Sequence, residues 1–86
     1  MNTLHIVSSK TDINLCVPIL NDDDGLLILG NAITYLLEVD LNISNVYVLK
    51  KDMSIFDLRL DNKIQIIDYD RMVKLCCTYT KVNTWN

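Results

Sequence analysis

The stretch from Asp22 to Val39 limits the fold of this chain more than any other. Three acids, Asp22, Asp23 and Asp24, end at Gly25, and an unbroken apolar run, Leu26-Leu27-Ile28-Leu29, follows. Gly30-Asn31 then leads into a helix-like segment from Ala32 to Val39. A short apolar run between turn residues fits a strand covered on both faces; periodicity alone also allows a buried helix, and the shortness of the run favours the strand. Strands buried on both faces belong to parallel sheets with helices on each side. The acids read as a turn kept in water, and Gly30-Asn31 as a sharp exit that also caps the next helix. The unit is strand, tight turn, helix.

The flanking segments repeat that alternation. Leu4-His5-Ile6-Val7 is a short strand, and Ser8 to Asp12 turns it toward a helix with Thr11 or Asp12 as candidate N-cap. Ile13, Cys16, Val17 and Leu20 fall on one helical stripe, with Pro18 awkward unless the helix kinks or restarts there. After Asp40 to Ser44, the run Asn45-Val46-Tyr47-Val48-Leu49 is β-branched and aromatic, hence a third strand. Met53 to Leu58 reads as a short helix or an irregular excursion. Asp61-Asn62 is a turn signal before a fourth strand, Ile64 to Ile67. Asp68 is placed to cap a last helix whose apolar face holds Met72, Val73, Leu75 and Cys76. The tail from Thr80 to Asn86 packs back or pairs as an edge. Alternation of this kind predicts an α/β fold: a mainly parallel sheet of four to five strands, right-handed crossovers, and helices on both faces.

Composition enters through size and charge. The 86 residues read as a single domain, residues 1–86, and half of them are hydrophobic. A domain this small buries only about 60–65% of its unfolded surface, so the surplus apolar surface is expected to face another subunit. The net charge of −3 argues against direct nucleic-acid binding, which needs clustered Lys and Arg. Lys50-Lys51 is the one adjacent basic pair, read as a solvated loop. No segment approaches the roughly 20 apolar residues of a membrane span. The N-terminus lacks the features of an export signal, and an odd count of three cysteines then points to reduced thiols and a cytoplasmic location.

The chemical candidates are few. Gly25 and Gly30 are the only glycines, so no phosphate loop is present and no nucleotide cofactor is expected. Cys16 has two readings: a thiolate that carries sulfur, or a small packing residue on the Ile13/Val17/Leu20 stripe. Cys76 reads as packing and Cys77 as incidental, since neighbouring cysteines bridge only with strain. His5, the only histidine, sits within a strand and reads as structural. The Asp22-Asp23-Asp24 run lacks evidence of the spatial convergence that a metal needs.

The order of motifs adds a resemblance. Leu4-His5-Ile6-Val7-Ser8, the acidic turn into Leu26-Leu27-Ile28-Leu29, the turn Gly30-Asn31-Ala32, Val46-Tyr47-Val48-Leu49 before Lys50-Lys51-Asp52, Ile66-Ile67-Asp68-Tyr69-Asp70-Arg71-Met72-Val73-Lys74-Leu75 and the late Trp85 occur in the order of the TusB/DsrH family of sulfur-relay subunits. The chain resembles that family over essentially its whole length. It departs from it in a short loop between the third and fourth strands, which lacks an Ala-Arg-Gly element, and in having Gly30-Asn31 where relatives carry an acidic-Gly turn.

The resemblance implies a small DsrE-like three-layer domain in a heterohexamer with TusC-like and TusD-like subunits. That complex hands persulfide sulfur to a downstream TusE-like carrier for 2-thiolation of the wobble uridine in tRNA, or, in the DsrH branch, serves sulfur oxidation. It implies a structural rather than a sulfur-bearing role, as the sulfur-bearing cysteine of such complexes lies on the TusD-like subunit. DsrH proteins carry a cysteine in their first helix, and Cys16 matches it without a gap, so a persulfide on Cys16 is the alternative. A stand-alone homo-oligomeric DsrE-like domain is the third reading.

Overall fold

The computed structural model describes residues 2–37, 43–56 and 64–85. The expected turn at Asp61-Asn62, most of the passage from Asp40 to Ser44 and the end of the Met53–Leu58 segment lie outside the described residues. Five parallel strands form one sheet: β1 (Thr3–Val7), β2 (Gly25–Ile28), β3 (Val46–Leu49), β4 (Ile64–Ile67) and β5 (Lys81–Thr84), in the order β4-β3-β2-β1-β5. Three α-helices accompany them: α1 (Lys10–Cys16), α2 (Lys50–Phe56) and α3 (Tyr69–Thr78). Two 3-10 segments, Val17–Ile19 and Gly30–Leu37, complete the layers. This is the three-layer α/β architecture expected from the sequence, with the tail as a fifth strand.

Topology decides which face each helix covers. From β1 to β4 the chain steps across the sheet in one direction, so right-handed crossovers keep those connections on one face. The step from β4 back to β5 runs the other way, so α3 belongs on the opposite face. The packing agrees. On the first face Val7, Leu26, Ile28, Val46 and Val48 meet Ile13 and Cys16 of α1 and Ala32 and Ile33 of the second 3-10 segment. On the other face Leu4, Leu27, Tyr47, Leu49 and Ile67 meet Leu75 of α3 and Tyr79 just beyond it. β2 and β3 are buried at every position, which is why their sequences are continuous apolar runs rather than alternating ones.

Several local details differ from expectation. Ser9, not Thr11 or Asp12, caps α1, its Oγ accepting the Asp12 N–H at 3.1 Å. Pro18 sits at the start of the 3-10 segment that takes over where α1 ends, a position at which its missing N–H costs little. Gly30 makes the sharp exit with φ of 63°, but its N–H goes to Asp52 Oδ2 at 2.9 Å, and Asn31 lies inside the following helix rather than capping it. That helix is 3-10. Lys50-Lys51 is not a loop: α2 begins directly at the end of β3. Val73, expected on the apolar face of α3, points outward at 58% exposure, while Met72, Leu75 and Cys76 pack inward. Asp68 caps α3 as expected, accepting the Arg71 N–H at 2.8 Å.

Gly25 is fixed by close approach. A Cβ there would lie 2.5 Å from the Tyr79 hydroxyl oxygen and 3.1 Å from Leu4 Cδ1, so nothing larger than glycine fits without displacing the tyrosine. Tyr79 cannot easily move, because its hydroxyl is 3.1 Å from that of Tyr47 in the buried layer under α3.

Candidate functional site

Cys16 is the last residue of α1 and is completely buried. It packs with Ile13, Val7, Leu26 and Ile28, and Val17 and Leu20 of the expected stripe join the same cluster. Burial, with a smaller contribution from the Asp24 carboxylate, pushes its thiol up to about 11. Low thiol pKa needs a helix N-terminus or a nearby cation; Cys16 has the C-terminal end of a helix and a carboxylate instead. The other two thiols lie on α3, Cys76 half-buried and Cys77 exposed. Among the described residues no three His, Cys, Asp or Glu side chains are grouped to hold a metal ion.

Beside Cys16 the sheet carries a polar chain that sequence reading missed. Asp24 is 3% exposed, not part of a solvated turn, whereas Asp22 and Asp23 are exposed. Its Oδ1 accepts the Thr3 N–H at 2.9 Å and its Oδ2 the Asn21 N–H at 3.1 Å, and His5 Nε2 lies 3.5 Å from Oδ2. Burial opposes the charge of Asp24, but the two amides and the His5 ring outweigh it and hold the carboxyl below its ordinary value. From the other side Trp85 Nε1 donates to His5 Nδ1 at 3.1 Å. Indole N–H only donates, so a neutral His5 accepts at Nδ1 and carries its proton on Nε2, facing Asp24. The Trp85 backbone N–H bonds the Ile6 carbonyl at 2.9 Å, so the end of β5 is fastened to β1 by backbone and side chain together. His5 is thus buried in the sheet, held between Asp24 and Trp85.

The second feature is a cleft at the carboxyl ends of β3 and β4. Leu49 and Ile67 are register partners there, and the chains then part, Lys50 leading into α2 on one face and Asp68 into α3 on the other. Ligands of open α/β sheets bind where successive connections diverge in this way. The cleft encloses about 300 Å³ between Leu49, Lys50, Lys51, Ile67, Asp68 and Tyr69. A shallower hollow of about 550 Å³ continues along β4 past Gln65, Ile66 and Arg71, sharing Ile67 and Asp68.

The family model described as DsrH like protein matches residues 7–82, from the end of β1 into β5. The chain belongs to the DsrH-like family. It is thus a member of the DsrH/TusB group of sulfur-relay proteins, and its parallel five-stranded sheet is the DsrE/DsrH-like fold. No curated protein matches it in sequence. The DsrH-like match includes Cys16, Asp24 and the whole cleft, while His5 and Trp85 lie just outside it. One sequence signal for the buried Asp24 existed: with β1 and β2 read as parallel neighbours, the acid just before Gly25 falls beside the start of β1. The strand register Leu4↔Gly25 brings that about.

Proposed function

We propose that this DsrH-like chain is a structural, non-catalytic subunit of a TusBCD-like complex that passes persulfide sulfur toward 2-thiolation of the wobble uridine in tRNA. TusC-like and TusD-like subunits are its partners, a TusE-like carrier takes the sulfur from the complex, and the complex works in the cytoplasm. Family membership supports the relay; the setting of Cys16 supports the structural role. A relay thiol must be a thiolate that donor and acceptor can both reach. Cys16 is sealed under α1 with its thiol pushed up to about 11, so near neutral pH it is protonated and out of reach.

Two measurements test the relay. The chain should co-purify from its native cell with TusC-like and TusD-like proteins in fixed ratio, and its deletion should remove 2-thiouridine from tRNA. Recovery of a homo-oligomer alone, with tRNA thiolation intact, would point to a stand-alone domain. A DsrH-like role for Cys16 as persulfide carrier remains the competing proposal. It requires α1 to lift from the sheet during transfer, and a Cys16→Ser complex that assembles normally yet fails to transfer sulfur would favour it.

A further inference from the structure

We infer that His5 and Trp85 form a pH-sensitive latch: protonation of the His5 ring expels the Trp85 indole and loosens the end of β5, a response that does not depend on the sulfur relay. The neutral ring accepts the indole N–H at Nδ1 over 3.1 Å and carries its own proton on Nε2, toward Asp24. An imidazolium has an N–H at both nitrogens and accepts nothing. The added proton therefore stands on Nδ1, directly against an indole N–H that can only donate. Turning the ring over gives no relief, because either nitrogen then brings a proton to the indole. One of the two side chains has to leave. His5 is 6% exposed within the sheet, whereas Trp85 follows a strand with no buried residue, so the indole is the one that moves.

The groups around the ring favour this exchange of partners. Asp24, just ahead of β2, has its Oδ2 at 3.5 Å from Nε2 and holds the charged ring in place as an ion pair. Despite burial, the Thr3 and Asn21 amides and His5 keep that carboxyl ionised below its ordinary range, and Asp22 and Asp23 beside it are exposed. From α1, Cys16 comes close enough to Asp24 to feel its charge, and its thiol stays protonated and neutral. Lys10 and Asp12 belong to the first turn of that helix, at its other end. Tyr35, the one titratable group of the second 3-10 segment, bonds Asn14. The register partners of His5 are Leu26 on β2 and Asn83 on β5, neither charged, and Lys81, on the same face of β5, is exposed. Once the indole leaves the first-face core, the end of β5 is left to its backbone pairing with β1.

Nuclear magnetic resonance of the full chain, isotope-labelled only at its histidine and tryptophan ring nitrogens, tests this, because one histidine and one tryptophan give single signals. The titration runs from about pH 8 to about pH 5, where imidazoles change charge. At the upper end the His5 signals should place the proton on Nε2 alone. As the ring takes its second proton, the Trp85 indole signal should move with the same midpoint toward that of a solvent-exposed indole. Below this midpoint the Trp85 backbone N–H should lose about tenfold of its protection from hydrogen exchange, compared with an unstructured chain at the same pH, while β2 and β3 keep theirs. His5→Gln, with no ring nitrogen to titrate, should abolish the step. A proton on Nδ1 at the upper end, an indole signal that stays fixed while the ring charges, a ring that stays neutral until the whole chain unfolds, or the same step in folded His5→Gln would each overturn the latch.

Discussion

Cys16 and Asp24 sit in one buried neighbourhood and have opposite consequences for stability against pH. The Cys16 thiol is raised from 9.0 to about 11, so the folded state holds its proton where the unfolded chain has released it. Its contribution is complete below about pH 9 and is lost as pH climbs toward 11. The Asp24 carboxyl is held below 3.8, so its contribution is complete above that value and is lost as pH falls through the lower folded value. Chemical melts across the pH range should show both limbs, with Cys16→Ala flattening the alkaline limb and Asp24→Asn the acid one. An alkaline limb unchanged in Cys16→Ala would remove the thiol from this description. Cys16 as a member of an apolar stripe was legible from its spacing alone. Asp24 was not, because three consecutive acids look alike in sequence and only the β1–β2 register selects one of them for burial. The partner of His5 was hidden for a similar reason, since Trp85 lies 80 residues further on.

At the level of elements, α3 and β5 form the return leg that crosses the sheet from one edge to the other. Asp68 supplies the helix start, so Asp68→Ala should cost about 1 kcal/mol in chemical melts, whereas Asp68→Asn should cost only part of that. β5 has no buried residue, and its hold on the sheet comes from pairing with β1 and from Trp85. Trp85→Ala removes the indole bond to His5 and the packing against the first-face core, and should cost about 2 kcal/mol. Amide exchange in β5 should then accelerate before that of β2 or β3; uniform acceleration throughout would mean that Trp85 serves the whole core instead. The apolar runs of β2, β3 and β4 made those strands readable. Lys81 to Thr84 carries no such signal, so β5 was visible only as a tail in need of an edge. The boundary of α2 was misread because lysines at the end of a strand look like loop, although they also suit a solvent-facing first turn.

The whole molecule has a closed core yet leaves large apolar side chains in water. Leu15 protrudes from α1, Ile19 from the 3-10 segment that follows it, Ile66 from β4, Tyr69 and Val73 from α3, and Val82 from β5, each at least 40% exposed. Single exposed apolar residues are ordinary, but six of them among the described residues of so small a chain favour burial against another subunit. The chain alone is expected to self-associate at micromolar concentration, and sedimentation showing a stable, folded monomer would speak against an obligate subunit. The parallel three-layer plan followed from strand–helix alternation, while the strand order did not, since with every crossover right-handed it is the face taken by α3 that sets which edge receives β5. The position of the sulfur bears most directly on the proposed role. After the reconstituted complex is incubated with a labelled persulfide donor, peptide mass spectrometry should find the one-sulfur adduct on a partner subunit, with Cys16 of this chain unmodified; a labelled persulfide on Cys16 itself, absent from Cys76 and Cys77, would contradict a purely structural subunit.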